Sequence, residues 1–324
     1  MTRTVVALDP ATYERHAVHR DGRIWAETNC YVDIWIELLH ALGHEPEAAL
    51  PFTFAIDFEG DQWTFFKFPL PDLLALYGLD TQELAIWRPL VEHVEEQVAQ
   101  GRPVLAELDS YHLPDTAGSA YQRAHVKSTV AVMEIDVASA TLGYFHGQGY
   151  HRLHGDDFFA ALRVGETDPT RLAPYVEVVK HSDEPPRPRA QTTARSIELL
   201  RHHLSRVPRD NPFARFRRRF AKDLDGLLQD DDLERFHQYS FATLRQLGAC
   251  YELASTYLEW LAGRGEPDLE APLAAFQDLS ERAKQFQFRL ARAVARGAPL
   301  DLSPIDEMAD TWTRGTTALR ERYA

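Results

Sequence analysis

Cysteine is almost missing from this chain: two occur in 324 residues, Cys30 and Cys250. That excludes a disulfide framework and fits a reducing compartment. Long apolar runs are absent too, since nothing approaches the ~20 residues needed to cross a bilayer. Met1–Pro10 carries Arg3 and Asp9 without the apolar centre of a secretion signal. A cytoplasmic protein without a membrane partner is therefore expected. There is no phosphate-cradling glycine loop, no dinucleotide fingerprint and no Gly-x-Ser-x-Gly elbow. His40 and His44 lack the glutamate of a metalloprotease helix, and His146, His151 and His154 fit no zinc spacing. Neither a metal nor a bound cofactor is expected. Positive charge is scarce as well, with 35 Lys and Arg against 49 Asp and Glu, a formal net charge of −14. This speaks against nonspecific binding of nucleic acid.

What is present is an ordinary globular composition, 44% hydrophobic and 26% charged, in a chain long enough for one large or two ordinary domains. The stretch Glu27-Thr28-Asn29-Cys30 leads into Tyr31, Ile34, Trp35, Leu38, Leu39 and Leu42, one apolar stripe at helical spacing. Asn29 suits the N-cap, which puts Cys30 in the first turn. There the unpaired backbone N–H groups and the positive end of the helix dipole favour negative charge. Papain-type enzymes present their nucleophile at the head of a buried helix in this way. The plainer alternative is a small apolar cysteine packed under a loop.

Beyond this helix, Pro51–Phe58 and Gln62–Phe68 flank Glu59-Gly60-Asp61 and predict a β-hairpin. Pro71–Tyr77 and Thr81–Gln100 predict helices stopped by Gly78 and Gly101, and Pro103–Leu108 a buried strand. Val126–Asp136 and Thr141–Tyr150 predict a second hairpin, followed by a short helix over Asp156–Leu162 and a strand over Tyr175–Lys180. Segregated elements of this kind indicate α+β. The proline-rich 181–192 reads as a linker, and helical periodicity runs from there to the end, predicting a bundle. The expected domains are 1–182 (α+β, a central antiparallel sheet on the Cys30 helix) and 193–324 (all-α). Cys250, inside a long apolar helix, is expected in the core.

A cysteine nucleophile needs a base, and the base needs an orienting group. His125, at the head of a buried strand, is the candidate base. Asp136 fails as orienter, because eleven extended residues at ~3.3 Å each separate it from His125. With the hairpin turning near Val137–Ala140, Gln148 and Tyr150 return closest to His125, so Gln148, through its amide oxygen, or Tyr150 is the expected orienter, and Tyr150 is also a candidate to line the substrate site. Asp109 and Tyr111 leave a neighbouring strand end and could line the same mouth, although an aspartate there also serves to cap a turn. Asn29 and Thr28 are candidates to assist the Cys30 N–H in holding an oxyanion. Between Arg187 and Lys222 stand eleven Lys and Arg against Glu198 and Asp210. Arg215, Arg217, Arg218 and Arg219 form the densest part of this belt, a candidate surface for an anionic partner or simply a solvated helix face.

Four segments carry a resemblance: Asn29-Cys30; Leu108-Asp109-Ser110-Tyr111-His112-Leu113-Pro114; His125-Val126-Lys127; and Gly143-Tyr144-Phe145-His146. Over about 20–180 the chain resembles a bacterial family catalogued as a domain of unknown function. The order of these motifs is also similar to the N-terminal domain of the butirosin-pathway acyltransferase, a relative of papain-fold peptidases that process double-glycine leaders. The resemblance implies a papain-like fold and a transferase using Cys30 and His125. It would take an acyl or aminoacyl group from the phosphopantetheine thioester of a carrier protein and pass it to a small amine. The glutamine that papain-like enzymes usually carry before the cysteine is missing, the region reading Asp21-Gly22-Arg23-Ile24. A cysteine amidase or peptidase and a non-catalytic binding module remain the alternatives.

Overall fold

Asn29 starts the first helix. Its backbone is extended (φ −151°, ψ 151°) and its Oδ1 accepts the Val32 N–H at 2.8 Å, so helix α1 runs Cys30–Ala41. The computed structural model describes residues 2–19, 22–26, 29–165, 172–181, 187–229 and 233–323. They form two compact units. The first comprises Met1–Asp21, Asn29–Pro46 and Pro69–Pro186; the second comprises Gly22–Thr28, Glu47–Phe68 and Arg187–Ala324.

The first unit is built on an antiparallel sheet. Its strands are β1 (Arg3–Thr4), β2 (Asp80–Glu83), β3 (Val104–Asp109), β4 (Lys127–Asp136), β5 (Thr141–His146), β6 (Gly149–His154) and β7 (Val176–Lys180). They lie in the order β2-β7-β3-β4-β5-β6, with β1 also on β4. Helix α2 (Leu70–Tyr77) ends on Gly78 in the left-handed conformation, as its sequence requires. Helices α3 (Leu90–Ala99) and α4 (Asp156–Ala161) cover one face. There Val94, Val98 and Phe158 pack with Val104, Ala106, Val130, Val132, Leu142 and Tyr144. The other face belongs to α1, whose Cys30 meets Thr129 and whose Tyr31 meets Glu177. Opposed residues of an antiparallel pair share a face. Thr129 opposes Glu107, and Leu105 opposes both Ala131 and Glu177, so these line the α1 side.

The second unit carries α5 (Arg189–Arg206), α6 (Pro212–Gln229), α7 (Leu233–Ser240), α8 (Gln246–Gly263), α9 (Glu270–Arg296) and α10 (Ser303–Tyr323). A π-helical turn, Phe241–Arg245, joins α7 to α8, so the long helix expected over this region is interrupted once. The protein is thus α+β, with an antiparallel sheet and a helical C-terminal part, as composition and spacing indicate.

Three expectations are corrected. The aromatic stretch 51–68 forms no hairpin ladder: Pro46–Ala55 is a 3-10 helix and Phe58–Trp63 a single bridge. Its aromatics instead sink among the helices, Phe54 against Tyr257 and Phe276, Phe58 and Trp63 against Phe216. Strand propensity measures how such side chains fit a packed surface, and here helices supply the surface. Second, 81–100 divides into β2 and α3, because Pro89 precedes the first helical residue and carries no N–H for a continuous helix. Third, 141–150 is two strands: Gly147, at φ 54°, allows a two-residue turn that the alternation of side chains conceals. Much of the linker expected over 181–192, residues 182–186, lies outside the described residues; α5 already starts at Arg189.

Candidate active site

Cys30 is the first residue of α1, half-buried, and its Sγ lies 3.7 Å from Thr129 Oγ1. Thr129 is buried on β4. His125 precedes the same strand by two residues, so at ~3.3 Å per residue its Cα stands at most ~13 Å from that of Thr129.

Asp109, the last residue of β3, opposes Lys127 and turns its carboxylate to two tasks. Oδ1 accepts the Tyr111 N–H at 3.0 Å, capping the 3-10 turn Ser110–His112, and Oδ2 lies 2.7 Å from His125 Nδ1. Burial by itself would raise the Asp109 pKa. The hydrogen bond from His125, the Tyr111 N–H and the charges of His125 and His112 outweigh it, holding the carboxyl below its ordinary value. An ionised Asp109 accepts only, so Nδ1 of His125 carries the proton and Nε2 is left as the basic nitrogen. Tyr111 stacks on the imidazole, centroids 4.5 Å apart and planes 11° from parallel. The turn-capping role weighed for Asp109 is therefore filled, and the same carboxylate also holds His125.

Nearby, Lys127 Nζ pairs with Glu107 at 2.7 Å, and Glu177 accepts from Tyr31 at 2.9 Å and from Tyr175 at 2.7 Å. Among the described residues no hydrogen bond joins Cys30 Sγ to His125; the thiol meets Thr129, and the imidazole meets Asp109 at the end of β3.

Gln148 is not the partner of His125. It sits in the β5–β6 turn, where Oε1 accepts from Arg15 at 3.2 Å. Tyr150, on β6, lies 6.2 Å from the Tyr13 ring, and both it and Gln148 line a cavity of about 700 Å3 with Pro10, Tyr13 and Arg15. The expectation fails because β5 ends opposite Ala131, leaving the start of β4 paired with β3 alone on that side. Asn29 spends its side-chain oxygen on the Val32 cap. Thr28 lies outside the described residues.

A second histidine–aspartate pair, which the sequence did not disclose, occupies the opposite face. His146 Nδ1 approaches Asp115 Oδ2 at 2.5 Å, and the Tyr144 hydroxyl donates to Oδ1. Burial raises Asp115, yet the bond and charge of His146 and the Tyr144 hydroxyl bring it below the usual range. Alternation along β5 was the available signal: Tyr144 and His146 point to Asp115, while Phe145 points to Tyr13. Among the described residues no three His, Cys, Asp or Glu side chains group as a metal site.

The arginine belt is largely engaged within its own unit. Arg215 bonds Asp57 and the Phe58 carbonyl, Arg217 pairs with Asp306 at 2.8 Å, and Arg219 with Asp223 at 2.8 Å. Arg218 is exposed. Arg215, Arg217 and Arg219 therefore each have an acidic partner on the chain itself, in partly exposed pairs of small individual strength. Cys250 is fully buried, its Sγ 3.5 Å from the Thr53 carbonyl and its pKa pushed up by burial, as its apolar helix implied.

Two family models match the chain: the DUF1839 N-terminal domain over residues 14–181 and the DUF1839 C-terminal domain over residues 189–321. No curated protein matches it.

Proposed function

The chain belongs to the DUF1839 family across both of its domains, and on that premise we propose that the first unit is a papain-like cysteine acyltransferase. Cys30 is the nucleophile, His125 the general base and Asp109 the group that orients it. The observation that carries this reading is the His125–Asp109 bond at 2.7 Å, at the start of the strand whose Thr129 meets the Cys30 thiol. A base needs an orienting carboxylate to fix its tautomer, and Asp109 supplies one that is held ionised.

The substrate proposed is the phosphopantetheine thioester of an acyl or aminoacyl carrier protein. His125 Nε2 takes the Cys30 proton as sulfur attacks the carbonyl, with the Cys30 N–H at the helix head turned toward the oxyanion. The carbon–sulfur bond of the donor breaks, and its thiol leaves with the proton returned by His125. A small amine then attacks the acyl-cysteine, gives its proton to His125 and releases Cys30. Hydrogen bonds of empty catalytic sites are often long and tighten around substrate, so a thiol resting on Thr129 is compatible with this sequence.

Incubation with a panel of aminoacyl-loaded carrier proteins is expected to add the acyl mass to the intact protein, and Cys30→Ser to abolish the adduct. Asp109→Asn should slow acylation by about 10²-fold or more while leaving Cys30 in place. No adduct across the panel, together with alkylation of Cys30 no faster than a free thiol, would overturn the assignment. Free acid as the product in the presence of amines would make the enzyme a hydrolase.

A further inference from the structure

Among the described residues the Cys30 thiol has one hydrogen-bond partner, Thr129, with Sγ 3.7 Å from Oγ1. Regular structure holds both ends of this contact. Cys30 opens α1, and Thr129, 6% exposed, sits in the β3–β4 ladder opposite Glu107. A β-branched side chain in a strand has little freedom about χ1, so the hydroxyl is held where it stands. A hydroxyl offers one proton and two lone pairs. At rest the thiol donates to Oγ1, and among the described residues the hydroxyl's own proton meets no acceptor. Neighbouring hydroxyls are spent. Ser110 and Ser128 bond each other at 2.5 Å, and Tyr31 donates to Glu177 at 2.9 Å. A buried donor left over beside a thiol costs free energy until an acceptor arrives.

We propose that the Thr129 hydroxyl is an oxyanion donor of the acylation step, acting together with the Cys30 N–H. The inference rests on the reading of Cys30 as nucleophile. In the first turn of α1 the Val32 N–H goes to Asn29 Oδ1 and the Asp33 N–H to the Asn29 carbonyl, which leaves the Cys30 N–H at the helix head. When His125 takes the thiol proton, the S–H that Thr129 accepted is gone, and the hydroxyl can turn its own proton outward. As Sγ bonds the thioester carbon, the carbonyl π electrons move onto oxygen, which comes to lie beside the sulfur. A donor 3.7 Å from that sulfur is placed to close on the ~2.7–3.1 Å that an oxyanion bond needs. Thr129 keeps its proton throughout. Collapse of the tetrahedral intermediate restores the carbonyl and expels the donor thiol, protonated by His125.

The test uses the full chain with two probes, the acetyl thioester of N-acetylcysteamine as acyl donor and iodoacetamide, whose reaction with a thiolate builds no oxyanion. Intact mass follows both reactions at Cys30 across pH, so that thiolate is compared with thiolate. Thr129→Val keeps the shape and removes the hydroxyl. It should slow acylation by about 10²-fold or more and leave alkylation near the wild-type rate. Thr129→Ser and Thr129→Ala both lose the γ-methyl group and differ in the hydroxyl alone, so serine should recover most of the acylation and alanine none. That pair separates the hydroxyl from packing, and circular dichroism checks each fold. Acylation and alkylation slowed alike by Thr129→Val would make Thr129 a support for the thiol and overturn the proposal. Thr129→Ser no faster than Thr129→Ala would do the same. Undiminished acylation in Thr129→Val, with Cys30→Ser inert, sinks this inference and leaves the acyltransferase reading standing. A wild-type chain that iodoacetamide alkylates but the thioester never acylates sinks both.

Discussion

His19 has no exposed side-chain surface, and both of its ring nitrogens meet carboxylates of α1, Nδ1 that of Glu37 and Nε2 that of Asp33 at 3.2 Å. Burial disfavours the imidazolium, but the bonds and charges of Asp33 and Glu37 overcome it and raise the pKa above 6.5. Tyr13 and the His16 N–H also bond Glu37, and His40 packs against the rings of Tyr13 and His16. A raised folded pKa stabilises fully below the unfolded value, and the contribution disappears as pH rises through the folded one. Urea midpoints should therefore fall as pH rises above about 7, and His19→Gln should flatten that slope. Cys30 and His125 are legible in the sequence as candidates because a capped helix head and a strand head are local features. Asp109 is legible only as a neighbour, since its bond to His125 depends on β3–β4 register, which no local pattern encodes.

Elements are legible where one periodicity runs unbroken and obscure where a short turn interrupts it. The helices α1 and α2 and the strands β3, β4 and β7 follow the expected spans to within a few residues or extend them. The stretch 51–68 misleads because its aromatics serve helices. Local packing around Trp25 gives an element-scale prediction. A Cβ at Gly248 of α8 would overlap the Trp25 ring, whose Nε1 donates to Ser280 at 3.1 Å. Gly248→Ala should destabilise the second unit by ~1–3 kcal/mol, measured by denaturant unfolding, with a red-shifted tryptophan emission as the ring is displaced. Gly143→Ala on β5 would drive a methyl group into the Tyr150 hydroxyl and should likewise destabilise the first unit.

At the scale of the molecule, the chain enters the second unit three times, with Gly22–Thr28, Glu47–Phe68 and Arg187–Ala324. Cutting at the linker therefore strands Phe52, Phe54, Phe58, Trp63, Phe66 and Phe68, all buried, on the wrong fragment. Residues 187–324 expressed alone should aggregate or stay molten, as read by dye binding and near-UV dichroism, and a fragment that also carries 47–68 should recover order. The composition and charge of the chain, its helix head at Cys30, the buried strand after His125 and the helical run toward the C-terminus were settled by sequence alone, because propensity, capping and periodicity act over a few residues. Which aspartate reaches His125, which arginines are already paired, and which unit owns the aromatic stretch 47–68 were decided only by tertiary structure. Those outcomes turn on contacts between residues far apart in sequence, whose pairing is chosen by packing of the whole chain.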